Sequence, residues 1–453
     1  MAGGTWTSTN KVLPGVYINV RSQGSTAANV GTKGVAAIAE PLSWGQAGVV
    51  QEIVPGTDLK PYIGYDITNE KALFLREMMK GSDVTHGPVK ILLYRPAGIG
   101  GEKAAASIGG LTVTALYEGI RGNDISIVVQ ENPDLEGVYD ISTIIDGAVA
   151  DEQAVTSVSE LKANAWVGFS GSGEFSKTAG TVLTGGVDPV VAAADYAAFL
   201  TAIEPYQFDI IVYDGTDSTT IQAIAAFVKR LSDGQGRKCQ AVMSGAAAAE
   251  CNSEFVIAVN NGVKMADGTV ITPQQATWWL GGAEAGALYN ESLTYARYPN
   301  AAEAFPKLTD AEAEAAINSG QICFMDMFGT VKVCTDINTL TSFPVDKGRE
   351  FSKNRVIRVI HQFCNDVYRQ FSLYYIGKAD NNETGRNLLR GWIIGYLNEM
   401  QANHGIQNFT AEDVEVSAGS SVDSVMIHAA LQPVDSIEKI YMTVTVSAGT
   451  TEE

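Results

Sequence analysis

Two stretches near the end of the chain place apolar residues at the helical period. Over residues 353–374, Val356, Ile360, Phe363, Val367 and Phe371 fall on one face, at i, i+4, i+7 and onward. The other side carries Arg358, Gln362, Asn365 and Arg369 and is polar. Over residues 385–404, Leu389, Ile393, Tyr396 and Met400 share a face, while Gly391 and Gly395 leave room for another backbone to come close. The period then changes to two. Met442, Val444 and Val446 alternate with Tyr441, Thr443 and Thr445 over residues 440–446, which predicts a strand that is at least half-buried. A similar short alternation stands near the start, with Val16, Ile18 and Val20 on one face. It lies between Gly/Ser/Thr-rich stretches, 1–12 and 22–26, that read as a mobile arm and a linker. Such a strand has no neighbour for a hairpin, so it must pair with something distant, in this chain or another. The plain reading is an edge strand of the first domain.

Between these ends the pattern alternates. Near-continuous apolar runs at 34–39, 89–95, 208–214 (FDIIVYD), 239–244 and 255–260 read as strands buried on both faces. Helices are predicted at 69–80, closed by Gly81, and at 196–201, 218–231, 272–288 and 310–318. Thr272-Pro273 makes a good cap and first-turn pair for the fourth of these. Short strands follow at 322–325 and 331–335. This alternation predicts an α/β sheet. Residues 99–185 break it. They are rich in Gly, Ser, Thr and Val, with strands predicted at 111–117, 125–130, 138–145 and 182–183 and one short helix at 158–163. That spacing predicts a small β-sandwich inserted into the α/β domain.

Charge narrows the partners. The 453-residue chain has a formal net charge of −20, which argues against nucleic acid, since phosphate binding needs a basic surface. The acid is unevenly spread. Residues 1–39 hold Lys11, Arg21 and Lys33 and no acid. Residues 347–358 hold Lys347, Arg349, Lys353, Arg355 and Arg358 against Glu350 alone. Basic patches on an acidic body suit contact with acidic surfaces of other proteins. The cysteines (Cys239, Cys251, Cys323, Cys334 and Cys364) are scattered and odd in number, and read as free thiols in a reducing compartment. The N-terminus has no basic and apolar signal pattern, and no apolar run is long enough to span a membrane, so a soluble protein made in a cytosol is expected.

A catalytic set does not emerge. His86, His361, His404 and His428 stand apart from one another, and only His361 neighbours a cysteine, Cys364, which belongs on an apolar helix face. No G-x-S-x-G elbow or phosphate-binding G-x-x-x-x-G-K loop is present. The G-x-G at Gly234 and Gly236 follows a helix instead of opening one, and so reads as a turn. Asp214, at the end of the FDIIVYD strand, stands where α/β sites usually form. Without a paired nucleophile or His it reads as a strand-to-helix turn.

Five stretches in order carry a resemblance. They are the LPGVY start with the GVAAIA strand, GIRGNDISIVV at 119–129, FDIIVYDG, ETGRNLLRGWIIGYLNEM at 383–400, and IEKIYMTVTV at 437–446. Together they resemble contractile tail sheath proteins of tailed phages and of phage-tail-like bacteriocins of Gram-positive hosts. The resemblance covers nearly the whole chain. It implies a multidomain α/β and α+β protein: an N-terminal arm with an exchanged strand (1–21), a discontinuous subtilisin-like α/β core (22–98 and 186–340), an inserted β-sandwich (99–185), a C-terminal α+β domain facing an inner tube (341–436), and a C-terminal exchanged strand and tail (437–453). It implies no cofactor, no metal and no enzymatic activity. It implies partners that are other copies of the chain in stacked hexameric rings, an inner tube protein, and a baseplate and terminator at the ends, with no membrane insertion. Synthesis in a host cytoplasm and a final place in a virion or particle follow. Strand exchange would use Val16, Tyr17, Ile18 and Val20 from one end and Ile440, Met442, Val444 and Val446 from the other. Both would join an in-chain strand at 424–431, with Val425, Ile427 and Leu431 on one face. Tube contact would fall to Lys347, Lys353, Arg355 and Arg358, with Arg386 and Arg390 in reserve. Two other readings stand beside it: a hydrolase on the α/β core, and a non-contractile surface-layer or fibre polymer.

Overall fold

A computed structural model describes residues 2–4, 15–18 and 34–446. Its centre is a seven-stranded sheet. Across it the strands run Gln321–Ile322, Val256–Val259, Gln240–Ser244, Ile210–Val212, Val35–Ala39, Lys90–Tyr94 and Val50–Ile53. All neighbours are parallel except the last pair. The apolar runs follow from this arrangement, because both faces are covered. Ala36, Ile38, Ile91, Leu93, Ile210 and Val212 point into one core. Their chain neighbours Ala37, Leu92, Tyr94 and Ile211 point into the opposite one. Alternation persists as side-chain direction, while polarity no longer marks it.

The helix Pro273–Gly286 covers the first face. It begins as the sequence predicts, with a reciprocal cap between Thr272 and Gln275. Trp279 is fully buried and stacks on Tyr298 at 4.3 Å. Gly282 lets this helix touch backbone: a Cβ there would lie 1.9 Å from the Met78 carbonyl oxygen. Helices Ala193–Ile203 and Ser218–Lys229 cover the second face through Phe199, Leu200, Ile221, Ile224 and Val228. Asp217 caps the latter by accepting from the Thr220 amide at 2.7 Å. The predicted helix at 69–80 is shorter, a 3-10 turn Glu70–Ala72 running into Leu73–Met78.

The inserted unit contains a four-stranded antiparallel sheet in the order Thr178–Val182, Ser126–Glu131, Tyr139–Ile145, Ala148–Val155. A long pair, Ala105–Ala115 with Val167–Phe175, completes it. Chain entry and exit are bridged to each other at Ile99–Val190, Glu102–Val187 and Ala105–Thr184. Trp44 of the α/β unit enters this core and is fully buried against Trp166 and Tyr117. Two strands escape the sequence reading for physical reasons. Ala148–Val155 is mostly solvent-facing and acidic, and Val167–Phe175 is interrupted by glycines. The helix expected at 158–163 is a single 3-10 turn, Val158–Glu160.

The C-terminal unit is built on the helices Asn354–Tyr374 and Glu383–Ala402. Their predicted apolar faces meet: Val356, Ile360, Phe363, Val367 and Phe371 share one cluster with Leu389, Ile393, Tyr396 and Met400. The polar side of the first helix corrects the sequence reading. Arg358, Gln362 and Asn354 are buried, because this side docks on the α/β unit. Asn365 exchanges two hydrogen bonds of 2.9 Å with the Lys238 backbone, and His361 stacks on Phe255. Of that side, Arg369 alone reaches solvent freely. Among the described residues, nothing comes within 4 Å of a Cβ built on Gly391 or Gly395.

The Gly282 contact can be tested directly. Gly282→Ala should cost about 1–3 kcal/mol, because the Met78 backbone must shift to make room. Urea unfolding monitored by intrinsic tryptophan fluorescence would read this loss.

Candidate assembly site

The hairpin that follows the second helix is the natural starting point. Val414–Ala418 and Val425–Ala429 pair antiparallel, from Val414 opposite Ala429 to Ala418 opposite Val425. The sheet stops there, with two strands. Val425 and Leu431 pack against the C-terminal helices, whereas Ile427 is 38% exposed. The Arg390 guanidinium fixes the hairpin to the second helix by donating to the Val414 and Ala411 carbonyls.

Among the described residues, neither chain end pairs with this hairpin within the single chain. Gly15–Tyr17 forms a strand, and its partner is Ala2–Gly4, in parallel, within the stretch read as a loose arm. A parallel partner needs no hairpin, which is why a search for local turns misses it. Val16 is buried in the C-terminal cluster, and Ile18 packs against it. Tyr17 completes the strand, and Val20 lies outside the described residues. At the other end, residues 440–446 form no strand among the described residues. Within the single chain Ile440, Met442, Val444 and Val446 are 70–87% exposed. Tyr441 on the other face is equally bare at 90%. An alternating apolar segment this exposed is unusual on a finished surface.

The basic cluster resolves into separate fates. Lys347 pairs with Glu254, and Lys353 pairs with Glu438. Arg355 donates to the His404 carbonyl at 3.4 Å, and burial pushes its pKa down. Arg358 does not belong to the surface at all. It is 1% exposed and forms ion pairs with Glu284 and Asp336, both buried. Its buried surroundings need two carboxylates, and neither was legible as a partner in sequence. Arg386 lies beside the neutral Asn381 at 3.1 Å, and Arg390 meets only carbonyls.

The α/β unit holds one other polar constellation. Glu40 and Asp214 close adjacent strands at their carboxyl ends. Burial, then the charge of Asp214, raises the Glu40 pKa well above the carboxylate range. Burial likewise raises Asp214, which accepts from the Trp278 indole at 2.9 Å. A cavity of about 290 Å³ beside them is lined by Glu40, Ser43, Asp188, Gln275 and Trp278 among others. The Ser43 hydroxyl there donates to Asp188 at 3.0 Å, so it faces a carboxylate and not a histidine base. Among the described residues, no group of three or more His, Cys, Asp or Glu is placed to hold a metal ion. No described helix is long and apolar enough to cross a membrane. The cysteines are free thiols; Cys239, Cys323 and Cys364 are buried.

Three family models match along the chain. They are the phage tail sheath protein beta-sandwich domain over residues 100–188, the central domain over 190–339, and the C-terminal domain over 346–447. The chain belongs to the phage tail sheath family. The phage-like element PBSX protein XkdK of Bacillus subtilis is 32% identical, covering 99% of this chain and all of that protein. The crystal structure of a sheath tail protein from Desulfitobacterium hafniense is 42% identical, with a TM-score of 0.84 over 96% of this chain and all of that one. The anti-feeding prophage helical sheath in its contracted state shares the fold at 12% identity, with a TM-score of 0.57 over 96% of this chain and 100% of that one. This sheath chain is therefore a structural subunit of a phage or phage-tail-like particle.

The buried Arg358 cluster yields a second test. Burial is the largest influence on the Asp336 carboxyl and pushes it up, but the Arg358 charge together with hydrogen bonds to Glu284, the Leu293 amide and Arg358 holds the group below the usual carboxylate range. Its stabilising effect is therefore complete above the unfolded pKa of about 3.9 and is lost as pH falls through the lower folded value. Arg358→Met should destabilise the subunit by about 3–5 kcal/mol at pH 7, since two carboxylates are left buried without their cation. The loss should shrink toward pH 3, where the stranded carboxylates can be buried protonated. Thermal unfolding between pH 3 and 7 measures both effects.

Proposed function

We propose that the subunit polymerises by strand exchange into stacked hexameric rings around an inner tube, and that contraction of this sheath drives the tube through a target envelope. The uncovered Ile440–Val446 segment carries this reading. It alternates as a strand, exposes both faces, and leaves the same domain that presents a two-stranded hairpin. A hairpin edge offers unpaired backbone groups, and a neighbour's extended segment can satisfy them. Val425, Ile427 and Leu431 would meet the incoming Ile440, Met442, Val444 and Val446, with Val16, Tyr17, Ile18 and Val20 contributing from the N-terminal arm. The core is read as subtilisin-like in its layering, with its role mechanical. Baseplate and terminator proteins close the ends, and the particle is assembled in a host cytoplasm before release.

Tube contact falls on Arg386 and Arg390. Lys347 and Lys353 are ion-paired to carboxylates within the subunit, whereas these two arginines face neutral groups. They stand one turn apart on the second long helix. Exposed ion pairs contribute only about 0–1 kcal/mol each, so contacts repeated along a tail hold in sum and release together.

Removing residues 440–453 should leave a folded, soluble subunit that forms no tubes by negative-stain electron microscopy. Ordered tubes from that truncation would sink the exchange mechanism. Reversing Arg386 to Glu should weaken sheath assembly on tubes at moderate salt while free subunits keep their unfolding temperature. Assembly equal to the wild type would remove the tube-contact assignment.

A further inference from the structure

The tail does not hang loosely from its domain. The Val434 amide donates to the Gly405 carbonyl at 2.9 Å, and Ser436 and Ser292 share a hydroxyl hydrogen bond of 3.2 Å. Glu438 then ends the attached stretch. Its carboxylate accepts from Thr294 at 2.7 Å and from Thr335 at 3.2 Å, and forms an ion pair with Lys353. Its side chain is 15% exposed, yet Ile440, just beyond, is 83% exposed. The border between held and uncovered chain therefore falls at Glu438.

This clamp spans two units. Thr294 and Thr335 belong to the α/β unit, and Lys353 begins the first long helix of the C-terminal unit. Thr294 also accepts from the Asp336 amide at 2.9 Å, and the Asp336 carboxylate holds Arg358. The tail root thus sits directly on the charge cluster that joins the units.

We propose that Glu438 is the positioning residue of the exchanged arm: held between Lys353 and the two threonines, it fixes the point and direction from which Ile440–Val446 leaves the subunit. The proposal rests on the strand-exchange reading. Its physical content is effective concentration. A short arm with a fixed root samples a small volume near the neighbour's hairpin, and a longer free arm dilutes itself. With the clamp open, the next attachment is Ser436, and the free segment lengthens from its root.

Limited trypsin digestion of the full-length subunit tests this, with intact mass reporting cleavage after Lys439. Wild type should resist cleavage there. Glu438→Gln should raise the rate about tenfold, the effect expected for loss of one charged hydrogen-bonded contact. Lys353→Met should do the same while leaving the cleavage site itself unaltered. Cleavage in the β-sandwich, at Lys162 and Lys177, should not change, which separates local release from general unfolding. Equal cleavage at Lys439 in wild type and Lys353→Met would overturn the clamp. Tube formation by Glu438→Gln should need several-fold more protein than wild type. An unchanged threshold together with faster cleavage would overturn the positioning role. Tubes formed after deletion of 440–453 would overturn the exchange reading instead, with the cleavage results standing on their own.

Discussion

One buried cation organises the junction on which the molecule depends. Arg358 lies inside the protein with Glu284 on one side and Asp336 on the other. Glu284 belongs to the helix that covers the central sheet, and Asp336 to the segment leading out of it. A charge so placed is tolerated only when its partners are in position. The three side chains therefore act as a register mark: the C-terminal unit fits the sheet unit in one way. Hydrogen bonds from Asn354, which donates to Asp336 and to the Ile337 carbonyl, and from Asn365 extend the same docking along the helix.

Rigidity at the junction contrasts with what lies beyond it. Within a few residues the chain passes from a held carboxylate to apolar side chains with no cover. The proposed contraction would need links and bodies of different stiffness. The buried charges keep each body whole. In the proposed strand exchange, the bare segment would bend between bodies while its backbone hydrogen bonds hold.

Legibility in the sequence tracked the number of faces an element buries. Strands such as Ile210–Val212 announced themselves because both faces are apolar, and the helix Pro273–Gly286 because its cap is local. Ala148–Val155 stayed hidden because it faces solvent. Arg358 misled because a polar helix face looks the same whether it meets water or two buried carboxylates distant in sequence. Glu438 was invisible for a related reason: its partners Thr294, Thr335 and Lys353 are far away along the chain. The exposed tail was legible in the other direction. Its alternation promised a partner that the single chain does not supply.

The paired entry and exit of the β-sandwich carry a consequence for how such chains diversify. Ile99 and Val190 are bridged, so the two points where the insertion joins the body are already neighbours. A module with adjacent ends can be exchanged there without moving the central sheet. The exchange is not free of conditions. Trp44 belongs to the body but is covered by Trp166 and Tyr117 of the insertion. Any replacement has to bring its own roof for that indole, or the body has to give the tryptophan up.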